Sequence, residues 1–273
     1  MDVIKATARA AVKQPSILVT AGILMLAAAV INVFVPAMAI ITGIVSISGA
    51  NVFDSLLSIL QMLLDPGIVP TLLIALAVLS LLAAIAAGLL LPGYISAVDS
   101  GLSSGAGKRG LFADGIKRNF FRFFLMTLKT ALLTVLAVVF LIISAIPAIV
   151  VTRAALTVKP DLMIAALFID FVTIGAVFFS TAFIKAYIYM WYIAASKGES
   201  RPFKAGKAVV DREFWNLAFG LAGFDIVFAA VIYLIYLSES QIFRYVTGWL
   251  FTTTFFTVLP VYLVRIYRRG SRE

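Results

Sequence analysis

The sequence predicts an all-α polytopic membrane protein: six transmembrane helices arranged as three helical hairpins, with interfacial elbow helices on the cytoplasmic side. Three observations carry this. Of 273 residues, 63% are hydrophobic and only 13% charged, where soluble domains are about half apolar and about a quarter charged. The apolar residues fall into runs of membrane-spanning length, ~20 residues or more. Lys and Arg gather on alternate connections. The chain reads as a single membrane domain in three units, 1–97, 98–195 and 196–273, with no room for a large soluble domain.

The first span runs from Ile17 to about Val35, where Pro36 ends or kinks it. Ala50 to Asp65 repeats apolar residues at helical spacing, as in an amphipathic helix lying in the outer interface. A re-entrant hairpin with the segment after Pro36 is the alternative. The remaining spans are Ile68 to about Ala97, Leu125 to Val151, Leu162 to Ile193, Phe214 to Leu237 and Ile242 to Ile266. Ala83, Ala84, Ala86, Ala87 and Gly88 offer a smooth packing face on the second span, and Gly220 with Gly223 allows close approach on the fifth.

Orientation follows from charge. Of 22 Lys and Arg residues, 17 lie before the first span, between the second and third, between the fourth and fifth, or after the sixth. Three (Arg153, Lys159 and Arg244) lie on the other side, and Lys129 and Lys185 fall within spans. Cytoplasmic loops carry such an excess, so both termini are expected in the cytoplasm of a prokaryotic cell, with the chain in its plasma membrane. The formal net charge of +9 is then explained by anionic lipid headgroups, and nucleic acid is excluded as a partner. The absence of a cleavage site after the first apolar run marks that run as a retained span.

Two basic segments resemble one another: LFADGIKRNFFRFFL from Leu111 to Leu125 and PFKAGKAVVDREFWNLAFG from Pro202 to Gly220. Phe112 matches Phe203, Gly115 matches Gly206, and Phe120-Phe121 matches Phe214-Trp215. Each leads into a span, and the N-terminus ATARAAVKQPSIL repeats the layout loosely. Leu111–Phe124 and Pro202–Glu213 are therefore expected to be short helices parallel to the membrane. Phe112, Ile116, Phe120 and Phe123 would sit among acyl chains. Lys117, Arg118, Arg122, Lys204, Lys207 and Arg212 would meet lipid headgroups or dock a cytoplasmic or membrane protein partner. A second copy of the chain also remains open as a partner.

At Ala205, Gly206, Lys207, Phe214, Trp215 and Asn216, and less fully at Ala113, Gly115, Lys117, Asn119, Phe120 and Phe121, the chain resembles the six-span YciC-like and glycerophosphodiester-phosphodiesterase membrane-domain families. The resemblance covers the layout of most of the chain. It implies the fold and no catalytic residue, because the phosphodiesterase activity in that family name belongs to a separate soluble domain that has no counterpart here.

With no Cys and no His, thiol nucleophiles, thiolate metal sites, imidazole bases and the usual zinc or iron sites are excluded. No cofactor, metal site or catalytic residue is expected. The Gly- and Ser-rich stretch from Gly101 to Gly110 lacks the order of a phosphate-binding loop and reads as a turn.

Charges inside spans are the exceptions, because each costs roughly 2.5 to 3.5 kcal/mol at the bilayer centre. There are four: Lys129, Asp170, Lys185 and Asp225. Both lysines are near enough to the inner surface to snorkel. Asp225 lies ~16 Å past Phe214, about half of the hydrocarbon core, and its carboxylate is too short to escape. The antiparallel run of spans four and five lets Lys185 approach it. These readings leave two function classes for a non-enzymatic protein: a transport-related membrane subunit handling a solute or lipid, or a lipid-binding, membrane-structuring protein without transport.

Overall fold

The computed structural model of the protein describes residues 2–34, 61, 65–103 and 110–271. These residues form seven α-helices: α1 (Asp2–Lys13), α2 (Ser16–Phe34), α3 (Val69–Gly101), α4 (Leu111–Thr157), α5 (Met163–Ser196), α6 (Pro202–Tyr236) and α7 (Gln241–Gly270). No strand occurs among them. The interfacial segment expected at Ala50 to Asp65 lies almost wholly outside the described residues.

Five helices, α3 to α7, are long and apolar enough to cross a membrane. The first expected span falls on α2, a nineteen-residue apolar helix. At most 28% of the most apolar stretch in any of the five is buried, so Leu73, Ile74, Phe140, Phe171 and Ile226 stand exposed. Water would make such apolar surfaces untenable, whereas acyl chains cover them without cost. The protein is a multi-pass membrane protein.

The chain divides into two compact units. One comprises Met1–Ile31, Ala84–Thr127 and Ala182–Glu273, and the other Asn32–Ala83 and Leu128–Thr181. The first contains α1, most of α2, α6, α7, the C-terminal parts of α3 and α5 and the N-terminal part of α4. Its core includes Ile17, Val98, Phe123, Met190, Leu217 and Val264. Hydrogen bonds tie its helices together: Tyr94 donates to the carbonyl of Phe256 at 2.7 Å, and Trp249 donates to that of Gly22 at 3.1 Å. In the second unit, a short 3-10 turn over Pro160–Leu162 precedes α5.

Glycines set the closest backbone approaches in the first unit. A Cβ on Gly115 would lie 2.9 Å from the carbonyl oxygen of Pro92, and one on Gly93 would lie 2.7 Å from that of Phe112. A Cβ on Gly206 would meet the main chain of Met190 and Trp191 at 2.9 Å. Both segments read as elbows therefore lie main chain to main chain on the helix that precedes them. This corrects the expected insertion of their aromatic residues among acyl chains. Phe112 and Phe120 instead pack on Gly93 and Gly88, and Phe123 is fully buried, with its ring 5.5 Å from Tyr192.

The two segments differ in how they end. In α6 the helical geometry breaks at Glu213 (φ −110°, ψ 19°), the residue where elbow was expected to give way to span. In contrast, α4 is one helix of 47 residues, or ~70 Å, longer than the ~45 Å of a bilayer with its headgroups. Past the break, the Tyr262 hydroxyl donates to the carbonyl of Asn216 at 2.6 Å. Gly220 leaves the room for it, since a Cβ there would lie 1.8 Å from that hydroxyl. Gly223 meets nothing within 4 Å, so it serves no close approach, contrary to expectation. On α3 only Ala84 and Gly88 of the small-residue face are buried, while Ala83 and Ala86 are exposed.

Gly206→Ala is expected to lower stability by about 1–3 kcal/mol, as overpacking does, because main chain cannot turn aside. Gly223→Ala should raise it by up to ~1 kcal/mol through helix propensity. Thermal unfolding of both variants in neutral detergent checks the contrast.

Candidate functional site

Basic side chains of α7 and of the residue just beyond α5 converge in the first unit on one carboxylate. Asp99, near the end of α3, accepts from Arg268 of α7 through Nε at 3.0 Å and Nη2 at 2.6 Å, and also from the ammonium of Lys197 just beyond α5. The same guanidinium donates to the carbonyls of Asp99 (2.7 Å) and Leu102 (3.2 Å) and to the Ser103 hydroxyl (3.0 Å). Arg268 thus spends its fan of donors on an anion and on carbonyls that a helix leaves unpaired at its C-terminus. Positive charge there is also favoured by the helix dipole.

Around this clamp lies an open cavity of about 970 Å³, lined by Arg9 and Lys13 of α1, Asp99 to Ser103, Lys197, and Arg265, Arg268 and Arg269 of α7. Arg9 and Lys13 are four residues apart, and Arg265, Arg268 and Arg269 are three and four apart. Each set therefore lies on one helix face, and α1 packs directly on α7. Arg269 is paired with Glu213 at 3.1 Å, and Lys13 donates to the Ser103 carbonyl at 3.2 Å. Arg9 and Arg265 have no hydrogen bond or ion pair among the described residues. Six cations thus face the carboxylates of Asp99 and Glu213, an excess of four positive charges. Such an arrangement can bind anions. Among the described residues no group of three acidic side chains stands close enough to hold a metal ion.

None of the charges expected within spans lines this cavity. Lys185 and Asp225 are joined at 2.6 Å. In the second unit, Thr152 lies 2.9 and 2.8 Å from the two carboxylate oxygens of Asp170, to which its hydroxyl donates. Lys129 is exposed on α4. Of the residues read as headgroup or docking contacts, Lys117 and Lys204 are exposed, and Lys207 pairs with Asp211 at 2.5 Å. Arg118 lines a separate cleft of about 180 Å³ with Asp114, Asn119 and Lys197.

Arg122 and Arg212 instead cap helix ends, donating to the carbonyls of Ala195 (3.2 Å) and Gly270 (3.0 Å). None of these candidates lines the large cavity. Its signal in the sequence was the one-faced spacing of Arg9 with Lys13 and of Arg265 with Arg268 and Arg269. What the linear pattern lacked was the convergence of α1, α3 and α7.

No family model matches the chain, and no curated protein or solved structure matches it either.

Two outcomes follow. Asp99→Asn should destabilise the protein by about 2 kcal/mol in neutral detergent, between the ~0–1 of exposed pairs and the ~3–5 of fully buried ones. Added anionic lipid should recover much of that loss. Asp225→Asn should also destabilise it, and Lys185→Met in the same chain should restore most of the loss by removing the orphaned ammonium. Melting curves of the single and double variants decide this, and a double variant no better than Asp225→Asn would argue against an ion pair holding α5 to α6.

Proposed function

We propose that the protein is a six-span, non-enzymatic protein of a prokaryotic plasma membrane, with both termini cytoplasmic, that binds anionic phospholipid headgroups in the cavity between α1 and α7. The single observation that carries this is the gathering of six basic side chains from three stretches of the chain into one cavity. All six belong to the side that the charge distribution assigns to the cytoplasm, where anionic lipids provide a negative surface. Against the transport reading stands the Lys185–Asp225 pair, which accounts for the mid-membrane carboxylate without a moving ion or proton.

The three-unit reading is supported by a repeated contact. Lys13, Arg122 and Arg212, each near the end of its basic segment, donate to Ser103, Ala195 and Gly270 at the ends of α3, α5 and α7.

Mass spectrometry of protein extracted gently from its own membrane should find anionic phospholipid retained by the wild type. The Arg9→Gln, Arg265→Gln double variant should retain several-fold less. Retention of neutral lipid alone, or equal retention by both proteins, would overturn the proposal.

A further inference from the structure

The junctions between basic segments and preceding helices differ in one place. The segment opening α4 closes on α3 through Gly115 against Pro92, and the segment opening α6 closes on α5 through Gly206 against Met190 and Trp191. At the third junction α1 packs on α7, and beside that contact lies the cavity lined by Arg9 and Lys13 of α1 and by Arg265, Arg268 and Arg269 of α7. Two cation stripes, one on each helix, thus line a single cavity.

Resting on the lipid-headgroup reading above, we propose that this junction is completed by a ligand carrying two phosphate groups, one held by Arg9 and Lys13 of α1 and the other by Arg265 of α7. Charge and size both favour two phosphates over one. A single phosphodiester neutralises one of four excess positive charges, whereas two phosphates neutralise at least two and can serve both stripes. The volume of about 970 Å³ is at the upper end of the ~300–1,000 Å³ usual for small-molecule sites. Lys197 and Arg268 are committed to Asp99 and Arg269 to Glu213, which leaves to meet the ligand Arg9 and Arg265, and Lys13, whose ammonium spends one donor on the Ser103 carbonyl. Guanidinium groups suit phosphate because their planar fork donates two parallel hydrogen bonds. Paired phosphates occur in a two-phosphate lipid such as cardiolipin and in a soluble diphosphate, and the chemistry at the site is the same.

The test uses the full chain in nanodiscs of phosphatidylcholine, with thermal stability titrated against cardiolipin, phosphatidylglycerol at equal total charge, inorganic pyrophosphate and inorganic phosphate. Binding of a two-phosphate ligand should be at least about tenfold tighter than that of its one-phosphate counterpart, a difference of about 1.4 kcal/mol. Stabilisation by cardiolipin alone identifies a lipid source, and stabilisation by pyrophosphate identifies a soluble one. Either Arg9→Gln or Arg265→Gln should remove the preference, whereas Arg244→Gln, at the other end of α7, should keep it. Equal effects of cardiolipin and phosphatidylglycerol would overturn the two-phosphate assignment and leave the headgroup reading intact. No effect of any anion would overturn both.

Discussion

Seven charged side chains line the cavity at the basic ends of the helices, and the carboxylate of Asp99 is the one acid among them. Two like charges about 6 Å apart repel by roughly 3 kcal/mol at an effective dielectric of ~20. Bringing the ends of α3, α5 and α7 together therefore needs a counter-charge at the point of meeting. Asp99 supplies it for Arg268 and Lys197. It also draws the Arg268 guanidinium onto the carbonyls at the end of α3. Walls of the cavity are tied together by this clamp, which leaves the cavity with an excess of positive charge.

A second constraint acts where the helices leave the hydrocarbon. Each helix ends with carbonyls that have no partner in the helix. Side chains of the basic segments meet this need three times, with Lys13 at the end of α3, Arg122 at the end of α5 and Arg212 at the end of α7. These residues, which belong to the basic excess of the chain, thus fasten one helix end to another. The glycines at 115 and 206 let the main chains of two of these segments come close enough to do so. Beside the contact of α1 with α7 lies the cationic cavity.

Much of the fold was legible because acyl chains impose a simple rule: long apolar runs become helices. The runs beginning at Ile17, Ile68 and Leu162 nearly coincide with α2, α3 and α5, that beginning at Ile242 sits within α7, and the break at Glu213 falls at an aromatic pair visible in the sequence. Contacts between helices were harder to read. Phe112, Phe120 and Phe123 looked suited to lipid, but small residues on α3 and the ring of Tyr192 give them protein partners. A hydrophobic pattern does not distinguish the two solvents, since acyl chains are as apolar as a core. The cavity was illegible for a related reason. Its cations were already accounted for by orientation, and nothing in the order of residues says that position 9 faces positions 265 and 269.

The central claim is that the space between α1 and α7 holds phosphate. An electron cryomicroscopy map of the protein in nanodiscs made from its native lipids tests it most directly. The account predicts phosphate-strength density within hydrogen-bonding distance of both the Arg9 and the Arg265 guanidinium groups, with Asp99 still clamped to Arg268. A cavity holding only water, with Arg9 and Arg265 turned away from one another into bulk solvent, would contradict it.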